Sequence, residues 1–270
     1  MRKIIQAAAL IIALLPSVTL AQDFDAGLQA YKDGDYQTAV KEWRPLAEQG
    51  NAFAQLSLGV SYDSGKGVPQ DYAEATKWYR LAAEQGDAEA QFSLGVSYYS
   101  GKGVPQDYAE ATKWYRLAAE QGNAFAQFSL GVSYYSGKGV PQDYAEATKW
   151  YRLAAEQGNA FAQLSLGVSY YSGKGVPQDY AEATKWYRLA AEQGDAFAQL
   201  SLGVSYYSGK GVPQDYVLAH MWANITAANG NKHAQELREL IAVKMAPSDI
   251  TKAQQMAREC LESGYNNCGY

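Results

Sequence analysis

Apolar side chains return with the period of a helix twice within residues 88–122. Ala90, Leu94, Gly95 and Tyr98 share one stripe and predict a helix over roughly 88–100. Ala111, Tyr115 and Ala118 share a second stripe, which predicts a helix from Asp107 to about Glu120-Gln121, closed by Gly122. Between them Ser100-Gly101 ends the first helix, and Gly103 and Pro105 keep the loop from re-entering one. Asp107 offers an oxygen to free backbone N–H groups, and Glu110 three residues on makes a capping-box pattern. Small residues at Ala90, Gly95, Ala111 and Ala118 let two helices approach closely, while Leu94, Tyr98 and Tyr115 fill the remaining volume. A bulky residue at Gly95 is expected to break the pair.

This pattern repeats every 36 residues, in blocks starting at Ala52, Ala88, Ala124, Ala160 and Ala196. Trp78, Trp114, Trp150, Trp186 and Trp222 keep the register, as do Pro69, Pro105, Pro141, Pro177 and Pro213, and Trp43 extends it one step toward the N-terminus. A unit of this size covers its apolar face only with its neighbours, so the chain is expected to form an all-α solenoid of helix pairs.

The ends depart from the period. Residues 1–21 run from Arg2 and Lys3 through the apolar Ala7–Leu15 to Thr19-Leu20-Ala21, and read as a secretory signal peptide, with an uncleaved anchor as the alternative. Residues 22–51 are expected to form an N-terminal capping pair, with Ala39 and Trp43 standing where Ala75 and Trp78 stand and Pro45 kinking or shortening its second helix. Five repeats follow at 52–87, 88–123, 124–159, 160–195 and 196–231. Residues 232–270 read as a C-terminal capping pair broken at Pro247, which covers the apolar Val217-Leu218-Ala219-His220-Met221 of the last repeat. Cys260 and Cys268, the only cysteines, are expected to form a disulfide in an oxidising compartment.

Charge and composition narrow the function classes. Removing residues 1–21 leaves 21 Lys+Arg against 28 Asp+Glu with no basic tract, which argues against nucleic acid as a partner. No further segment is apolar enough for a membrane span. The only histidines, His220 and His233, lack metal-site spacing, so neither a metal nor a cofactor is expected.

In chain order the shared motif reads Ala-Gln-x-Ser-Leu-Gly-Val-Ser-Tyr-Tyr-x-Gly-x-Gly-Val-Pro-Gln-Asp-Tyr, then Ala-x-x-Trp-Tyr-x-x-Ala-Ala-x-x-Gly. It resembles the Sel-one-like (Sel1-like) repeat, a relative of the tetratricopeptide repeat, over residues 52–231. The resemblance implies a right-handed α/α superhelix that acts as a protein–protein adaptor or scaffold, without naming the partner. Some exported, cysteine-rich members of the family are described as penicillin-binding or weak β-lactamases. This chain lacks their intra-repeat cysteine pairs, and has neither Ser-x-x-Lys nor Lys-Thr-Gly, so catalysis is not expected.

The differences among the copies point to a surface. The second repeat position reads Phe53, Glu89, Phe125, Phe161, Phe197; the fifth reads Leu56, Phe92, Phe128, Leu164, Leu200; the twelfth reads Asp63, Tyr99, Tyr135, Tyr171, Tyr207. With Val60 and its equivalents these share one face of the first helix. By similarity to tetratricopeptide repeats that face lines a concave groove. The expected ligand is a peptide or protein segment, apolar along most of its length and basic toward Asp63 and Glu89. The other reading is that Phe125 and its equivalents pack against the preceding helix pair. Lys66, Lys102, Lys138, Lys174 and Lys210 form a second ridge, expected to be a solvated face, with a cell-envelope component as its conceivable partner. An envelope hydrolase and an architectural spacer stand as alternatives to an exported, periplasmic or secreted, interaction protein.

Overall fold

The copies fold alike because each carries its own start and stop signals. Asp107 Oδ1 accepts from the N–H groups of Ala109 (2.9 Å) and Glu110 (3.0 Å), and Asp71, Asp143 and Asp179 cap their helices in the same way. Gly101 and its equivalents close the first helices in the left-handed conformation (φ +71° at Gly101), its N–H on Ser97 O at 2.9 Å. The computed structural model describes residues 17–228, 230–265 and 268, with side chains from residue 24. Among these residues the chain is entirely helical, with fourteen α-helices in seven consecutive pairs: α1 (Ser17–Lys32) with α2 (Tyr36–Glu48), α3 (Ala52–Ser64) with α4 (Tyr72–Glu84), α5 (Ala88–Ser100) with α6 (Tyr108–Glu120), α7 (Ala124–Ser136) with α8 (Tyr144–Glu156), α9 (Ala160–Ser172) with α10 (Tyr180–Glu192), α11 (Ala196–Ser208) with α12 (Tyr216–Ala228), and α13 (Lys232–Ala242) with α14 (Pro247–Glu262). The expected leader lies outside the described residues up to residue 16.

Two compact units are present, Met1–Ala90 with Lys102–Val104 and Gln91–Gly101 with Pro105–Tyr270. In the first, Ala39, Val40, Trp43, Leu46, Ala54, Leu58 and Trp78 form the core. In the second, the core is a series of similar clusters, such as Ala147, Tyr151, Ala154, Ala155, Ala162 and Leu166. The small-residue logic holds at the helix crossings: a Cβ on Gly131 would lie 2.6 Å from the Tyr151 ring, and Gly167 meets Tyr187 in the same way.

Three local expectations are corrected. Glu110 does not complete a capping box, because the Asp107 N–H is already taken by Tyr98 O at 2.9 Å. The Glu110 carboxylate instead pairs with Lys113 on the next turn. Pro45 does not shorten α2, which keeps the 13 residues of α4; the ring is exposed on the helix surface. Trp43 stands where Tyr79 stands and not where Trp78 does, since a Cβ on Gly27 would meet the Trp43 indole at 2.5 Å as one on Gly59 would meet the Tyr79 ring.

Repeats are joined by a seam that the sequence pattern concealed. A Cβ on Gly139 (φ +79°) would lie 2.0 Å from Tyr108 O, so the loop backbone rests directly on the start of the preceding repeat's second helix. Thr112 Oγ1, 3.4 Å from Lys138 O, donates to it across the same seam. In the last repeat His220 takes the threonine's position, 2 % exposed, with Nδ1 lacking a partner among the described residues.

At the C-terminus α12 is packed by both α13 and α14. Met221, Trp222 and Ile225 are buried with Ala253, Ala257 and Cys260. Cys260 and Cys268 form the disulfide. The bridged segment turns through Tyr265 (φ +68°), whose ring covers Gly194, 3.2 Å from where a Cβ would stand.

Candidate interaction surface

Successive side chains at i, i+3, i+7 and i+10 of a helix lie on one face. On α9 these are Phe161, Leu164, Val168 and Tyr171, and on α7 they are Phe125, Phe128, Val132 and Tyr135. The opposite face carries Ala162 and Leu166, which are fully buried. The low amphipathicity of the first helices follows: they are apolar on both sides, and only one side is covered.

Phe53, Phe125, Phe161 and Phe197 are 63, 55, 57 and 68 % exposed, which places them on the surface and not in the core. Three of them, Phe53, Phe125 and Phe161, are nonetheless anchored at their inner edges. Phe125 lies 6.0 Å from Phe92 and Phe161 5.9 Å from Phe128, ring centre to ring centre, so these two second-position rings rest on the fifth-position ring of the preceding repeat. Phe53 is held similarly by Phe24 at 6.2 Å. Phe92 and Phe128 are half-buried and lean on Tyr115 and Tyr151, each at 5.9 Å.

The twelfth-position tyrosines are less free. Tyr99, Tyr135 and Tyr171 each meet the first tyrosine of the following helix edge-on at 5.1 Å, and Tyr207 meets Tyr216 at 5.9 Å. A loop lysine of the next repeat roofs these pairs. Lys138 lies 5.5 and 5.0 Å from the ring centres of Tyr99 and Tyr108, Lys174 covers Tyr135 and Tyr144, and Lys210 covers Tyr171 and Tyr180. A hydrogen bond to the Tyr99 hydroxyl holds the Lys138 ammonium above the usual lysine value. The lysine ridge, expected as a solvated face, is thus also the seam of the stack. Sequence reasoning missed it because the partners lie 30 to 39 residues apart.

Between the stripes are hollows. One of about 230 Å³ is lined by Tyr135, Tyr151, Leu164, Ser165 and Val168, and one of about 390 Å³ lies at the turn before α11, between Phe161 and Phe197. Tyr151, the equivalent of the inward-facing Tyr115 one repeat on, is 4 % exposed and still contributes to the first. Burial pushes the hydroxyls of Tyr115, Tyr151 and Tyr187 up, so they remain neutral donors and acceptors.

Asp63 and Glu89, the acidic departures, are both exposed in the first unit. Among the described residues no group of three or more His, Cys, Asp or Glu could hold a metal, and no helix is long and apolar enough to cross a membrane.

Comparison with known proteins bears on this architecture. The chain is similar to c5321, a protective antigen of uropathogenic Escherichia coli strains displaying an SLR fold, at 39 % identity and a TM-score of 0.81 over 93 % of this chain; it spans only 55 % of that protein. It is similar to a Sel1 repeat protein from Oxalobacter formigenes at 37 % identity and a TM-score of 0.76, over 87 % of this chain and 96 % of that one. A search of curated proteins finds no match. Residues 52–87, 88–123, 124–159, 160–195 and 196–231 each match the Sel1 repeat model, and the chain therefore belongs to the Sel1 repeat family.

Proposed function

We propose that this chain is an exported interaction protein that binds a peptide or protein segment along the exposed stripe of its first helices. The observation that carries the reading is a recurring set of exposed apolar side chains on the first helices, Phe53, Phe125, Phe161 and Phe197 with Val60, Val96 and Val168, of which the phenylalanines are the most exposed rings in the repeats. Contiguous exposed apolar surface of this kind marks interaction sites. Aromatic rings already braced by neighbours lose little freedom on binding. Export is supported by the leader-like residues 1–21 and by the Cys260–Cys268 bridge, a bond of oxidising compartments.

A photo-crosslinking side chain placed at Phe161 in the producing cells tests the reading, with the same group at Lys149 on the second-helix surface as control. The expected result is a discrete adduct from position 161 alone, reduced by Phe125→Ala at unchanged melting temperature. Equal labelling from both positions, or loss of the adduct only where Phe125→Ala unfolds the protein, would overturn it.

A further inference from the structure

The exposed stripe changes between α9 and α11. Phe125 and Phe161 rest on Phe92 and Phe128, whereas the residue in that place before Phe197 is Leu164, and Phe197 has no ring partner among the described residues. It is also the most exposed of the four, at 68 %. Between Phe161 and Phe197 lies the hollow of about 390 Å³, which Gln193, Gly194 and Asp195 also line. Two phenylalanines and one carboxylate thus share a single space.

Capping alone does not call for that charge. Asp195 caps α11 through one oxygen, Oδ1, which accepts from the Ala198 N–H at 2.8 Å. Asn51, Asn123 and Asn159 cap α3, α7 and α9 through the same bond, at 2.9, 2.8 and 2.9 Å, without a charge. Asp195 forms no ion pair with a described residue, and its second oxygen accepts no hydrogen bond from one. The neighbouring Gln193 amide is engaged elsewhere, donating to Gln163 Oε1 at 2.8 Å. Asp87 is the other aspartate at such a cap, but there Glu89 stands where Phe197 stands, so the ring pair and the carboxylate coincide once in the array. A carboxylate with an open oxygen beside two exposed aromatic rings suits an organic cation: the rings attract positive charge, and the oxygen accepts an N–H.

We propose that Phe161, Phe197 and Asp195 form a subsite for one arginine or lysine side chain of the bound segment. The methylene stem lies along the rings and the charged head meets Asp195. The subsite rests on the peptide-binding reading above and adds to it the residue that fixes register: apolar contacts repeat from copy to copy, whereas this combination occurs once. A segment sliding by one repeat would lose it.

The test is selection of a phage-displayed library of random 12-residue peptides on the purified chain, on Asp195→Asn and on Asp87→Asn. The first variant installs the cap residue native to α7 and α9, and the second makes the same change away from the ring pair. Wild type and Asp87→Asn are expected to enrich apolar peptides with one Arg or Lys at a fixed position, and Asp195→Asn the apolar pattern alone. Replacing the basic residue of a selected peptide by norleucine should weaken wild-type binding about fivefold and leave Asp195→Asn binding unchanged. The wild-type half of that comparison holds whatever the variant's stability. Apolar enrichment without a basic position, a basic preference kept by Asp195→Asn or lost equally in Asp87→Asn, or wild-type binding indifferent to norleucine would sink the subsite and leave the peptide-binding reading standing. No enrichment on any of the three proteins would sink both.

Discussion

A Cβ on Gly95 would stand 2.6 Å from Cδ1 of Tyr115. Non-bonded carbons essentially never sit that close, and Tyr115 is 4 % exposed, so the ring has little room to move. Gly95→Ala is therefore expected to destabilise by about 1–3 kcal/mol, despite alanine's better helix propensity. The last repeat supplies the control. There Ala223 replaces the tyrosine, and a Cβ on Gly203 would meet Trp222 Cβ at 3.4 Å, an ordinary contact. Gly203→Ala should be neutral or stabilising by up to about 1 kcal/mol. Urea unfolding of the two variants decides it, and equal effects would refute the packing argument.

His220 links the last repeat to pH. Burial, with the Arg238 guanidinium adding to it, holds the imidazole below the usual value of 6.5. Above about pH 6.5 neither the folded nor the unfolded chain holds the proton, and the full stability is present. As pH falls through 6.5 the unfolded chain binds the proton first, so stability declines until the lower native value is passed. His220→Thr, which restores the residue of Thr184 and its equivalents, should flatten the decline between pH 7 and 5.5. Equal slopes of the urea midpoint in wild type and variant would contradict this.

Much of this was legible because the period is strict. The helix expected over 88–100 is Ala88–Ser100, and the helix expected to start at Asp107 begins at Tyr108 with Asp107 as its cap. Local chemistry dictates such features: a left-handed glycine, an aspartate with a free oxygen, a stripe of period 3.6. What the pattern concealed was long-range. Gly103 read as a loop breaker, whereas the constraint on it, as on Gly139, comes from a tyrosine carbonyl of the preceding repeat. Glu110 could not close its box once a backbone carbonyl had claimed the Asp107 N–H. Trp43 was placed by residue type, while its contact with Gly27 shows it to be the counterpart of Tyr79. At the interaction surface, comparison of the copies singled out the second, fifth and twelfth positions, and the structure divides them: the second-position phenylalanines are exposed, the fifth-position side chains are half-buried, and the tyrosines are held under lysines.

The disulfide closes a short loop that holds Tyr265 over Gly194. For about nine residues, loop closure alone accounts for about 2–3 kcal/mol. Cys260→Ser/Cys268→Ser should lose about that much and expose the Tyr265 ring, which would be seen as a rise in its nitration rate. A variant as stable as wild type, with Tyr265 still protected, would show that packing holds the tail without the bridge.

Lys244 belongs to no repeat and yet reproduces the repeat seam. It follows α13, where the chain has no Gly-Lys-Gly loop, and its ammonium still lies 5.1 Å from the ring centre of Tyr207 and 5.8 Å from that of Tyr216. Lys210 makes the same arrangement with Tyr171 and Tyr180 one repeat earlier, at 5.4 and 5.0 Å. In both, the hydrogen bond to the first tyrosine hydroxyl holds the lysine above its usual pKa. Two unrelated loops have thus delivered a cation to one aromatic pair, which argues that the pair needs covering at each seam. If so, Lys244→Met should speed amide exchange in α13 and α14 more than in α9 and α10, Lys244→Arg should restore much of the protection, and Lys174→Met should shift the effect to the α7–α10 region. Uniform exchange changes across the chain, or none, would mean that the lysines decorate the seam without holding it.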